Sequence, residues 1–310
     1  MLKYVRNRLI LLIPVLLGIT FLSFALLSFT AADAVDMKYD QAGIEVSEQV
    51  KTAARAKLGL DQPFLVQYVN WLGKLVRGDM GTSYISGKNV FATFCSKLPN
   101  TILLAVSAMT VTLLVSLPLG IYSALHKDKL GDRLILIGSF VGNSLPIFFA
   151  ALLLILIVSV QLQWLPIIAG KGWQGLILPT LTLSLAMSSR YIRQIRSVVL
   201  TEMGKSYVLS AHMRGISNRT IFYKSLLHIV FLNVITLMAL SLGSLLGGTA
   251  IVETIFMWDG VGKMAVDAIN MRDYPIIQAY VVWLSIIYIC MNLAADLLYH
   301  LVDPRIKEVN

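Results

Sequence analysis

Charged residues are scarce in this 310-residue chain: they make up 14% of the sequence, whereas 57% of it is hydrophobic. A soluble domain carries about 25% charged residues, so this composition cannot supply the polar shell that one large soluble core needs. Cysteine is scarce as well, since Cys95 and Cys290 are the only two, and two cysteines make no disulfide framework. These shortages exclude disordered and disulfide-rich classes and indicate an integral membrane protein.

Catalytic and nucleotide-binding motifs are also missing. The sequence has no H-E-x-x-H, G-x-S-x-G or C-x-x-C pattern. Residues 81–88 imitate a phosphate-binding loop, but they have one intervening residue too many, and Asn89 stands where Ser or Thr is required. We therefore expect no enzyme activity and no cofactor bound by this chain. The histidines are scattered without metal-ligand spacing, and we interpret them as polar groups at the membrane interface: His126, His212, His228 and His300.

Six long runs without charge are present, and a membrane-spanning helix needs about 20 apolar residues. The first run, 9–32, is longer than the core of a signal peptide, which has about 7–15 residues, and it predicts a retained anchor. Prolines inside these runs are tolerated in lipid when neighbouring helices satisfy the freed backbone groups. The runs predict an all-α integral membrane protein with six transmembrane helices, at approximately 9–30, 100–125, 134–161, 174–192, 228–250 and 278–301.

Basic residues are distributed unequally between the segments that connect these helices. Fifteen lie in the two termini and the short segments on one side, and three lie in the short loops on the other. The positive-inside rule then predicts that both termini are cytoplasmic. Segment 31–97 is predicted to be extracytoplasmic, and its amphipathic stretch, its turn and its aromatic stretch predict a small helical insertion between helices 1 and 2. The predicted segments are 1–30, 31–97, 98–303 and a tail at 304–310.

Asp296 is the clearest ionisable residue inside a predicted span, and such residues are functional candidates by default. It lies near the cytoplasmic end of its helix, where an acid reaches water or a basic partner. A structural ion pair, a helix-end hydrogen bond and a proton relay all remain open for this residue.

Segment 193–227 is long and basic for a connection between membrane helices. It predicts two short helices, about 205–213 and 218–227, because Gly215 can adopt the positive φ that ends a helix and Ser217 can cap the next one. Such a rigid hairpin would present a knob to a cytoplasmic partner. A basic amphipathic hairpin resting on anionic lipid is the alternative.

Residues 207–215, which read Tyr-Val-Leu-Ser-Ala-His-Met-Arg-Gly, resemble the coupling loop of binding-protein-dependent ABC importers of the dipeptide, oligopeptide and nickel type. Residues 247–256 and 272–278 resemble two further signatures of that family. Shorter matches extend the resemblance over essentially the whole chain, at 58–63, 78–83, 164–166 and 303–305. The resemblance implies the type I ABC importer permease fold.

The resemblance also implies partners and roles. This chain would pair with a second, homologous permease in a bacterial inner membrane, an extracytoplasmic binding protein would deliver solute, and two cytoplasmic ATPases would use ATP and Mg²⁺. The coupling residues would be Tyr207, Ala211, His212, Arg214 and Gly215. The glycines within 243–248 permit close helix packing. Together with residues of the signatures at 247–256 and 272–278, they form the predicted subunit interface and gate region: Gly243, Gly247, Gly248, Glu253, Asp273, Tyr274 and Pro275.

The sequence departs from the family pattern at several positions. His212 and Met213 stand where a basic residue and an alanine are usual, and Asp259 replaces a proline. Segments 126–130 and 160–166 look closer to the nickel permeases, so nickel or a metal chelate is the preferred solute and a di- or oligopeptide the alternative. A stand-alone secondary transporter is the alternative of a different class, and Asp296 is its main support.

Overall fold

Helices make up nearly all of the regular structure of this chain. The computed structural model describes the backbone of residues 2–28, 35–36, 39, 46–170, 172–221, 223 and 226–302. One isolated antiparallel bridge joins Thr82 to Asn89, and a π-helical segment, Ile155–Gln161, continues α6. The prediction of an all-α fold is confirmed for the described residues. The helices are α1 Leu2–Ser28, α2 Glu48–Leu58, α3 Phe64–Val76, α4 Val90–Leu125, α5 Leu130–Ser144, α6 Ile147–Leu154, α7 Trp173–Met203, α8 Ser206–Met213, α9 Asn218–Ile221, α10 Leu227–Ile255, α11 Val261–Met271 and α12 Tyr274–Val302.

Two helices in the described part of the chain are long and apolar enough to cross a membrane: α4, and α12 over Tyr274–Ala294. Helix α5 and the α6–π-helical segment meet the same criterion only as a pair, because they are bent by 105° at their junction. Pro146 stands at this junction, where it cannot donate a backbone hydrogen bond and where it precedes the first residue of α6. The single helix predicted over 134–161 is therefore wrong, and the total of six crossings stays a prediction.

The chain divides into two compact units. The first contains residues 1–101 and 259–293, and the second contains residues 102–258 and 294–310. Helices α4 and α12 each contribute to both units. The predicted boundaries of the segments, and the side of the membrane on which each lies, stay predictions.

In the first unit, α3 packs against α1 through aromatic side chains. The rings of Phe24 and Tyr68 lie edge to face with centroids 5.6 Å apart, an arrangement that aromatic pairs favour. The Tyr68 hydroxyl lies 3.1 Å from the Thr20 hydroxyl, so its polar end is hydrogen-bonded although the ring is buried. Elsewhere in this unit Phe94 stacks on Trp283 with centroids 4.8 Å apart, which joins the start of α4 to α12.

In the second unit, α7 packs against α5, α6 and α10. Glycines allow close approach at two of its contacts. A Cβ atom on Gly142 of α5 would clash with the Ser189 hydroxyl oxygen, and one on Gly120 of α4 would lie 2.9 Å from the Ile195 side chain. The second half of α7 is therefore held closely between its neighbours, and its last turns belong to segment 193–227.

Candidate functional site

Segment 193–227 contains the end of α7 followed by a helical hairpin. Helices α8 and α9 pack on each other, and Val208, Ala211, Ile221 and Leu226 form a small buried cluster between them. Helices are present at both of the positions predicted from the sequence, and α9 is described over Asn218–Ile221. The hairpin therefore has a hydrophobic core of its own.

The turn of the hairpin is held by backbone hydrogen bonds. Gly215 has a φ of +76°, and its N–H donates to the His212 carbonyl at 2.9 Å. The Ile216 N–H donates to the Ala211 carbonyl at 3.1 Å, which completes a Schellman motif. Ser217 then accepts the Thr220 N–H at 3.4 Å and caps α9. The positive φ predicted for Gly215 is confirmed, and it fixes the direction of the chain between the two helices.

The outer face of the hairpin carries exposed apolar and basic side chains together. Ala211 faces the hairpin core instead and is 8% exposed. Leu209 and Met213 are 59% and 79% exposed, and they were not among the predicted coupling residues. Their i, i+4 spacing, in a segment predicted to lie in water, was the available signal. Four of the five predicted coupling residues are exposed: Tyr207, His212, Arg214 and Gly215.

Glu202 links the hairpin to the last turn of α7. Its side chain is 9% exposed, and its carboxylate accepts hydrogen bonds from the Lys205 ammonium at 2.5 Å and the Tyr207 hydroxyl at 3.3 Å. Burial, with the neighbouring carboxylate, raises the pKa of Tyr207 above its usual value, so the hydroxyl remains a donor at neutral pH. Sequence reasoning missed Glu202. The start of α8 is thus tied to the end of α7 by charge-assisted hydrogen bonds.

A second buried ion pair lies further back along α7. Arg196 donates to both carboxylate oxygens of Asp132 on α5, each at 2.7 Å, which is the bidentate geometry that Arg and carboxylate favour. The Ser123 hydroxyl and the Asp128 N–H also donate to this carboxylate. The Asp132 side chain is only 2% exposed, and these hydrogen bonds replace the water that it lacks. Helices α4, α5 and α7, and the loop between α4 and α5, therefore meet at Asp132.

The predicted subunit-interface and gate residues are divided between the two units. Gly243, Gly247, Gly248 and Glu253 lie on α10 in the second unit. Glu253 is fully buried, and its backbone carbonyl accepts the Trp258 N–H at 2.8 Å. Their role at a subunit interface stays a prediction.

Asp273, Tyr274 and Pro275 form the corner between α11 and α12 in the first unit. The Asp273 carboxylate is buried, and it accepts the Ser83 hydroxyl and the Tyr84 N–H, the latter at 3.0 Å. Burial raises the pKa of Asp273 above the usual aspartate value, although the hydrogen bonds from Ser83 and Tyr84 act in the opposite direction. The corner is thus anchored to loop 81–90 by a contact 190 residues apart in sequence. The predicted role of these residues in a gate is untested.

Asp296 lies in the part of α12 whose side chains fall outside the described residues, so its interpretations stay open. Among the described side chains, no group of three or more His, Cys, Asp or Glu residues has the geometry to hold a metal ion. The described part of the chain thus gives nickel no dedicated cluster of ligands.

Comparison with known protein families decides the class of the chain. Residues 116–308 match the model of the binding-protein-dependent transport system inner membrane component. Residues 1–105 match the model of the N-terminal part of the same kind of membrane component. The chain belongs to this family. The resemblance seen in the coupling loop is therefore confirmed: the protein is a permease subunit of an ABC importer of the peptide and nickel type.

Relatives of this permease cover it almost completely. The glutathione transport system permease protein GsiC of Salmonella typhimurium is 37% identical over 307 residues, which are 99% of each chain. The protein of the same name from Escherichia coli strain K12 is 35% identical over the same share of both chains. The similarity includes both the hairpin and the Asp273 corner, because it runs over nearly the full length of the permease.

Proposed function

We propose that this permease forms half of the translocation pathway for a short peptide or peptide-like solute, delivered by an extracytoplasmic binding protein. The observation that carries the proposal is the 37% identity to GsiC over 99% of both chains, because GsiC is named for glutathione, a tripeptide. The preference for nickel rested on segments 126–130 and 160–166, which need not contact solute. The peptide-like alternative is therefore the better supported of the two solutes.

The exposed face of the hairpin is the proposed contact with a cytoplasmic ATPase. Leu209 and Met213 supply apolar area there, and His212 and Arg214 supply polar contacts around it. Protein interfaces commonly combine an apolar centre with a polar rim. A hairpin that lay on anionic lipid would also use such a face. In the full importer assembly, a face covered by the ATPase can be told apart from one that rests on lipid.

The link between Glu202 and the start of α8 gives the proposed coupling a physical basis. A movement of the hairpin reaches α7 only if the junction between them does not bend. The contacts from Lys205 and Tyr207 to the buried Glu202 carboxylate resist such bending. Helix α7 packs in turn on α5 and α10, so a rigid-body movement of the hairpin would be passed to the helices around it.

Solute uptake in a strain that lacks this chain tests the proposal. We expect uptake of radiolabelled glutathione or of a dipeptide to be lost and to return when the wild-type chain is supplied. Uptake of radioactive nickel should be unchanged. Loss of nickel uptake with normal peptide uptake would show that the solute has been assigned wrongly.

Assembly gives the control for the class of transporter. Purified from membranes, the chain should bring with it a second permease and two ATPases, and solute transport into vesicles should require ATP. A preparation of this chain alone that transports solute without ATPases would contradict the proposal and favour a stand-alone secondary transporter.

A further inference from the structure

A large, partly open cavity lies in the first unit. Its volume is about 790 Å³, within the roughly 300–1,000 Å³ of ordinary small-molecule sites. Helices α2 and α3, loop 77–84 and the start of α12 supply its walls. It is therefore large enough for a molecule of the size of a short peptide.

The rim of this cavity is basic. Lys57, Lys74 and Arg77 line it, and all three side chains are exposed. None of the three has an ion-pair partner within the described ranges. Asp79 is the one acidic residue in the described lining, and its carboxylate is engaged by the Gly81 N–H at 2.8 Å. The three positive charges consequently favour a ligand with negative charge.

The inner part of the cavity offers neutral polar groups. Gln278 of α12 lines it and is 5% exposed. Its amide can both donate and accept a hydrogen bond, so it suits a ligand that carries a polar group. Tyr84 also lines the cavity. Burial, with the neighbouring Asp273 carboxylate and Tyr274, raises the pKa of Tyr84 to about 12, so its hydroxyl remains protonated at physiological pH.

Aromatic surface completes the lining. Trp71 and Tyr274 face the same cavity as the basic rim. Apolar walls with a few placed polar groups are the usual composition of sites that bind small organic molecules. A free inorganic anion would use the basic rim but would gain nothing from the aromatic walls.

We propose that this cavity is a binding site for a small organic carboxylate of the size of a short peptide, with Lys57, Lys74 and Arg77 holding the carboxylate and Gln278 bonding a polar group of the ligand. The site rests on the proposed function for the identity of the solute, since peptides carry a terminal carboxylate. It gives the permease a contact with solute of its own, in addition to the selection made by the binding protein.

Direct binding to the purified complex tests this site. The full chain, copurified with its partner permease and ATPases but without the binding protein, is placed in phosphatidylcholine nanodiscs and titrated with radiolabelled glutathione. We expect saturable binding that weakens as salt is raised, because exposed charges are screened. Glutathione diethyl ester, in which both carboxylates are blocked, should fail to compete. Absence of binding, or equal competition by the ester, would overturn the proposal.

Variants identify the residues responsible. The triple substitution Lys57→Gln, Lys74→Gln and Arg77→Gln should weaken binding by about tenfold, since each exposed charge contact contributes a modest factor. Gln278→Met, of similar volume, should also weaken it. Lys88→Gln is the matched control, because Lys88 is exposed in the same unit but does not line the cavity. Equal affinities of the triple variant and the control would overturn the assignment.

Two further arms separate the sources of a negative ligand. If glycerol phosphate or phosphatidylglycerol in the nanodiscs displaces glutathione and binds more tightly, the site belongs to a lipid headgroup and the carboxylate assignment is wrong. Uptake in cells separates the site from the proposed function. Normal peptide uptake with no carboxylate binding overturns the site alone, whereas carboxylate binding with no peptide uptake in any strain contradicts the proposed function and leaves the site standing.

Discussion

Replacing Asp273 with alanine should open loop 81–90. The buried carboxylate accepts the Ser83 hydroxyl and the Tyr84 N–H, and its removal leaves the Tyr84 N–H without an acceptor. A buried donor without a partner costs about 1–3 kcal/mol, whereas the Ser83 hydroxyl can rotate toward another acceptor. At 1.4 kcal/mol for each factor of ten, the loop should open roughly 5–150 times more often.

Hydrogen exchange of the purified importer measures this opening directly. Peptides that cover residues 81–90 should exchange faster in the Asp273→Ala variant by the factor just given, because exchange of a protected amide requires local opening. Asp267→Ala is the matched control: this aspartate lies on α11 in the same unit, and its partner is the neighbouring Lys263 at 2.5 Å. A partly exposed pair of this kind contributes about 0–1 kcal/mol. Unchanged exchange in Asp273→Ala would refute the anchoring role.

The raised pKa of Asp273 adds a dependence on pH whose sign can be worked out. Burial disfavours the charged carboxylate in the folded protein. The contribution of Asp273 to the free energy of unfolding is therefore largest below the ordinary aspartate pKa of about 3.9. It declines as the pH rises through the raised pKa that Asp273 has in the folded protein. In Asp273→Asn, which keeps an acceptor for the Tyr84 N–H, this decline should disappear. After correction for the intrinsic effect of pH, exchange of the loop should rise with pH in the wild type and should not do so in the asparagine variant.

Three further substitutions test the second unit. Gly215→Val should abolish solute uptake while the chain still inserts, because a positive φ costs a residue with a Cβ roughly 1–2 kcal/mol; Gly215→Asn, which tolerates that φ, should retain most uptake. Arg196→Gln should lower the stability of the importer in thermal unfolding by about 3–5 kcal/mol, since it leaves the Asp132 carboxylate buried without its charge partner. Gly120→Ala should cost about 1–3 kcal/mol, because the new Cβ would lie 2.9 Å from a side chain and 3.0 Å from a backbone carbonyl of α7, whereas Gly138→Ala meets nothing within 4 Å and should be neutral.

Each of these has an outcome that contradicts it. Normal uptake by Gly215→Val would mean that the direction of the hairpin turn does not matter for coupling. Adding Asp132→Asn to Arg196→Gln should restore stability, because the unpaired carboxylate is then removed. If the double variant is as unstable as the single one, the unpaired carboxylate is not the cause of the lost stability. Similar melting temperatures for Gly120→Ala and Gly138→Ala would show that α4 can move away from α7.

Local signals predicted much of the helical architecture and the hairpin. The turn at Gly215 could be read from the sequence because a helix end needs a residue that tolerates positive φ, and the cap by Ser217 needs only a hydroxyl three residues before Thr220. Both depend on neighbours in the chain. The same holds for α2 and α3, whose turn is marked by Gly59 at a φ of +71° and by Pro63.

Contacts between distant residues were beyond such reasoning. Ser83 was read as part of an imitation phosphate loop, and no local pattern joins it to Asp273, 190 residues away. The bend after α5 was missed for a different reason: a proline inside a long apolar run is compatible with a slight kink and with a sharp break. The structure has the sharp break, with 105° between the two helices. The basic cavity was missed because its walls come from four separated segments.

The polar contacts of α7 together explain how a small hairpin can be connected to a whole bundle. Arg196 is paired with Asp132, Arg193 donates to the Ser139 carbonyl of α5 at 2.8 Å, and Glu202 holds the start of α8. Long charged side chains on a membrane helix are unfavourable unless they are paired. The partners of these three side chains therefore account for their presence on α7. Two of the contacts fix α7 to α5 and the third fixes it to the hairpin, so the three elements should move as one body. A substitution that weakens the Glu202 contact should therefore leave ATP hydrolysis intact but reduce transport, at a loss of stability too small to unfold the bundle.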